Sequence, residues 1–74
     1  MRFSEALQQA AEKAARRQAK AHNTSSPIVH AAADKAIADF ESLVKTELGR
    51  DTKIRWPGLY PQVEVDGIYH DICP

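Results

Sequence analysis

The stretch Val63 to Ile72 reads V-E-V-D-G-I-Y-H-D-I, and its Asp66-Gly67 pair constrains the chain more than any other feature. Such a pair between alternating apolar positions supplies the positive φ angles of a two-residue hairpin turn. The turn sets Val65 opposite Ile68 and Val63 opposite His70. Val63, Val65, Ile68, His70 and Ile72 then share one face, and Glu64, Tyr69 and Asp71 share the other. One face is apolar and the other wet, so the hairpin must lie on a second layer.

That layer is upstream and helical. Residues 4–22 are rich in Ala, Gln, Glu, Lys and Arg, all strong helix formers, with Ser4 placed as N-cap. At helical spacing Phe3, Leu7, Ala10, Ala11, Ala14, Gln18 and Ala21 fall on one side. Arg2, Gln9, Lys13, Arg16, Arg17 and Lys20 fall on the other. Asn23-Thr24-Ser25-Ser26-Pro27 breaks the pattern, with Ser26 as N-cap and Pro27 at the first helical position. A second helix is predicted over 27–48, stopped by Gly49 in a left-handed C-cap. Its apolar residues Val29, Ala33, Ala36, Ile37, Phe40, Leu43, Val44 and Leu48 fill an arc of about 140°. A short connection makes the two helices an antiparallel hairpin.

Strands are expected at about 52–56, 62–65 and 68–72. In the first, Ile54 and Trp56 share one face, and Lys53 and Arg55 the other. Pro57-Gly58 fits the central pair of a type II turn. The expected fold is therefore α+β: a two-helix antiparallel hairpin followed by a three-stranded antiparallel meander, α-α-β-β-β, in a single domain over 1–74.

A chain of 74 residues buries only about 60% of its unfolded surface, so a thin core is expected. One cysteine, Cys73, leaves no internal disulfide, which points to a reducing cytoplasm. No long apolar run occurs, so neither a signal peptide nor a membrane span is expected. Ten basic side chains balance ten acidic ones, which argues against a dedicated nucleic-acid binder and against a polyanionic mimic. The balance is uneven along the chain. Residues 1–22 carry five basic and two acidic groups, a net of +3, while residues 62–74 carry three acidic groups and no Lys or Arg.

Lys13, Arg16, Arg17 and Lys20 follow i, i+3, i+4, i+7 spacing, so their side chains emerge together. Such a stripe can grip phosphates or an acidic protein surface, or simply solvate an alanine-rich helix. Ala31, Lys35, Ala38 and Ser42 form an outer stripe of mostly small side chains on the second helix. Ala31, Ala38 and Ser42 are the expected contacts of a homodimer, which a thin core would favour. Tyr60 and Tyr69 are the expected exposed aromatics of a binding surface. His70 and Cys73 sit three apart, on opposite faces of a strand, and fall short of the four ligands of a structural zinc site. No metal is expected, and His70 is read as a core-edge histidine. Cys73-Pro74 resembles the short Cys-Pro motif of some haem-regulated proteins, but two residues carry no cofactor assignment. His30 and Asp34 stand i, i+4 without a nucleophile beside them, and no phosphate-binding glycine loop occurs. No residue set defines a reaction class, so an enzyme is not expected.

Helices followed by a tight hairpin (Pro57 to Ile72) resemble winged-helix proteins, including small phage excisionases, which implies DNA contact. The departures lie in the second helix, which is long and carries Asp34, Asp39, Glu41 and Glu47, and in the acidic hairpin tip. The preferred expectation is a small protein-binding module that blocks a partner surface, an inhibitor or adaptor of the kind common among phages and mobile elements. A nucleic-acid-binding regulator using the basic helix face is the alternative.

Overall fold

The computed structural model describes residues 2–72. Helix α1 spans Glu5–His22 and helix α2 spans Pro27–Leu48. Strands β1 (Ile54–Arg55), β2 (Gln62–Val65) and β3 (Ile68–Asp71) follow, giving the α-α-β-β-β order of an α+β fold. The sheet is antiparallel, with β2 in the centre.

The hairpin register is the one its turn dictates. Val65 pairs with Ile68 and Val63 with His70. Asp66 and Gly67 take φ values of 53° and 81°, the left-handed pair that a primed turn requires. Val63 and Ile72 are fully buried, while Ile68 at the tip stays 62% exposed. The apolar face therefore runs off the edge of its helical cover before the turn.

Ser4 caps α1 by accepting from the Leu7 amide at 3.1 Å. Its hydroxyl also donates to Glu47 Oε1 at 2.6 Å, which ties the start of α1 to the end of α2. At α2 the cap is by position only. The Ser26 side chain makes no cap hydrogen bond, and its amide donates instead to Thr24 Oγ1 at 3.2 Å. Pro27 removes one of the amides that a cap would serve.

Gly49 ends α2, as its position predicts, but at φ 122° and ψ 150°. That is an extended glycine-only conformation rather than the expected left-handed cap. The chain must leave the helix in extended form to start β1, and its amide still donates to Lys45 O. Two further expectations are corrected. Gly58 does not have positive φ, so Pro57-Gly58 is no type II turn; residues 57–60 form a series of bends. The first strand is two residues long rather than five, although the Lys53 carbonyl still accepts from the Glu64 amide at 3.0 Å and Trp56 packs against the core.

The core sits at one end of the helix pair. Phe3, Leu7 and Ala11 of the α1 end meet Phe40 and Val44 of α2 beneath Val63 and Ile72. Trp56 closes the side, its ring edge-on to Phe40 with centroids 5.6 Å apart. The ring of His70 meets Phe3 in the same way at 6.4 Å. Beyond this cluster the helices are held by alanine: Ala14, Ala15 and Ala21 from α1, Ala33 and Ala36 from α2. Alanine contributes little buried area, at about 25 cal/mol per Å², but lets two helices approach closely.

Urea denaturation should separate the two ends of the hairpin face. Leu7→Ala and Phe40→Ala are each expected to cost about 2–5 kcal/mol, enough to unfold much of a small chain. Ile68→Ala should stay within about 0.5 kcal/mol of the parent. An equal loss at Ile68 would mean that its side chain is covered.

Candidate functional site

The alanine-held end of the helix pair carries the most distinctive surface. From Lys13 to Ala33 the chain has four basic side chains and no carboxylate. Lys13, Arg16 and Lys20 are exposed and Arg17 is half-buried. The stripe is not uniform. Arg16 is held by Glu12 at 2.6 Å, one turn back on α1. Among the described residues Lys13, Arg17 and Lys20 have no such ion-pair partner.

Arg17 and Lys20 form one wall of an open groove of about 240 Å³, and Ile28, Val29 and Ala32 of α2 form the rest. Side chains of this type can pack their aliphatic stems on apolar surface and keep their charged heads in water. Ile28 is 81% exposed, the barest of the large apolar side chains described. It follows Pro27 and falls outside the apolar arc of α2, so the core never covers it. The placement of Arg17 and Lys20 was readable from spacing. Their meeting with Ile28 was missed, although an isoleucine off the apolar arc was the available signal.

A second open groove of about 210 Å³ lies between Gln18, Ala21 and His22 of α1 and His30, Ala33, Asp34 and Ile37 of α2. His30 Nε2 lies 2.8 Å from the Thr24 carbonyl oxygen, so that ring pins the interhelix connection to α2. Its lining offers no serine, cysteine or lysine nucleophile.

On the outer sheet face Arg55, Gln62 and Asp71 lie in register across the three strands. Arg55 Nε donates to Gln62 Oε1 and Gln62 Nε2 donates to Asp71 Oδ1, each at 2.6 Å. The Arg55 guanidinium sits 3.8 Å from the centre of the Tyr69 ring. Tyr69 therefore lies on the outer face, as its strand position predicts, but half-buried under Arg55. Tyr60 is half-buried in the bends before β2. The basic residues and the two tyrosines are thus on different parts of the fold. Ala31, Ala38 and Ser42 are all exposed along α2, beside the Lys35–Asp39 pair at 3.7 Å. Among the described residues no cluster of three or more His, Cys, Asp or Glu could hold a metal ion. Cys73 and Pro74 lie outside the described residues. No described helix is long and apolar enough to cross a membrane.

A double-mutant cycle on Arg55→Ala and Tyr69→Ala should return a coupling of about 0.5–1 kcal/mol in stability. Additive losses would show that the stacked guanidinium contributes nothing. The chain matches no known protein family, no curated protein and no solved structure.

Proposed function

We propose that the chain is a small protein-binding module that acts by occupying a partner's surface. The observation that carries this reading is the segregation along the helix pair. One end is consumed by the core and the sheet, and the other presents Lys13, Arg17 and Lys20, unpaired among the described residues, beside the bare side chain of Ile28. Steric blockage needs only such a surface. A reducing, cytoplasmic setting fits a chain whose single cysteine leaves no internal disulfide. Tyr60 and Tyr69 are weaker contact candidates, because both are half-buried and Arg55 already covers a face of the Tyr69 ring.

The same cations carry a second reading, the gripping of nucleic-acid phosphates. The apolar half of the groove favours protein, since phosphate contact needs no bare isoleucine. Affinity capture from the native host should recover a protein in stoichiometric amount, lost when Lys13, Arg17 and Lys20 are all replaced by Gln. The nucleic-acid reading prevails if no protein is captured and the parent chain binds a duplex-DNA column. Its salt slope should then fall by about 0.9 per lost phosphate contact in the same variant.

A homodimer through Ala31, Ala38 and Ser42 is a separate proposal. It rests on a stripe of small, exposed side chains and on the alanine-held helix interface. Sedimentation equilibrium at high micromolar concentration should find a dimer that Ala38→Lys dissociates. A monomer there removes the proposal.

A further inference from the structure

We infer that the groove between Arg17 and Lys20 of α1 and Ile28, Val29 and Ala32 of α2 receives an acidic protein segment, which seats one bulky apolar side chain there. The inference rests on the protein-binding reading and names the chemistry of the partner.

Four observations converge on this groove. Its volume of about 240 Å³ is below the roughly 300–1,000 Å³ of clefts that enclose small molecules, so it suits a single side chain. Its apolar lining comes from α2 and includes Ile28, which is 81% exposed and free to be covered. Its rim is cationic: Arg17 and Lys20 are held by no ion pair among the described residues, and Lys13 lies one turn before Arg17. The first turn of α2 adds to the positive field. It holds no acidic residue, and Ser26 gives it no side-chain cap. The helix dipole there favours carboxylates.

Among the described residues no acidic side chain lines this groove. The chain's own acidic hairpin is docked over Phe3, Leu7, Phe40 and Val44, at the other end of a molecule 38 Å long. An apolar side chain flanked by Asp or Glu matches both apolar lining and rim. A phosphodiester strand would match the rim alone. Arg16 lies on the same helix but is held by Glu12, so it serves as an internal control.

The test is selection of a random peptide-display library against the immobilised full chain, followed by titration of the best synthetic peptide. The expected consensus places Asp or Glu beside Leu, Ile, Phe or Trp. Ile28→Ser, and Arg17→Gln with Lys20→Gln, should each weaken that peptide about tenfold or more, as truncation of a central contact does. Arg16→Gln should change affinity less than about twofold, since an exposed charge already paired contributes little. Because these side chains are exposed or half-buried, urea midpoints should match the parent and confirm folding.

Three outcomes overturn the inference: no enrichment, a consensus without acidic residues, or binding that ignores Ile28→Ser. Tighter binding of a short DNA duplex than of any selected peptide, lost in the Arg17 and Lys20 variant, also overturns it. Concentration-dependent self-association that Ile28→Ser abolishes would assign the groove to a second copy instead. The broader reading is judged apart: a stoichiometric host protein that still binds the Ile28→Ser variant keeps the protein-binding function and removes this groove from it.

Discussion

The fold depends on one contact, the seating of the Val63–Ile72 strip on Leu7, Phe40 and Val44. Neither partner is stable without it. A two-stranded hairpin alone is marginal in water, and a helix pair lined by alanine buries too little apolar area to stand unaided. Phe40 supplies the largest fully buried side chain, and Trp56 and Phe3 close the cluster around it. The Ser4–Glu47 bond fastens the helices at the same end. Side-chain packing is therefore concentrated at the sheet end.

That concentration leaves the far end of the helices free. There the interface is alanine against alanine, the surface is positive, and the grooves on either side are open. Segments with few buried apolar contacts open at low cost, and binding surfaces are drawn from such regions. A partner that covers Ile28 would add buried area where the chain lacks it, so binding and stability are linked. The thin packing and the proposed recognition surface are two aspects of one distribution of residues.

Much of this was legible in the sequence because it is set by local chemistry. Asp66-Gly67 fixed the hairpin register, Pro27 and Gly49 bounded α2, and periodicity placed Phe40 and Val44 inward. The misreadings arose where tertiary packing decides. Ala15, which the helical spacing assigned to neither side, is buried. β1 is shorter than its alternation suggests, and Trp56 just beyond it packs edge-on to Phe40. The stacking of Arg55 on Tyr69 depends on the β1–β2 register across an irregular loop, so spacing could not reveal it. The basic stripe was visible as a stripe. Its division into a paired Arg16 and a groove-lining Arg17 and Lys20 required knowing which flank of α1 faces α2.

Native-state hydrogen exchange tests the central claim most directly, because it reads whether sheet and helices open together. The Glu64 amide donates to Lys53 O at 3.0 Å and the Ile72 amide to Pro61 O at 3.1 Å, so both report on the sheet. If the strip is seated as described, these amides and those of Phe40 and Val44 should exchange with one common free energy, that of global unfolding. Rapid exchange at Glu64 and Ile72 beneath persistent protection of α2 would show a sheet that comes away from the helices, and would contradict the account.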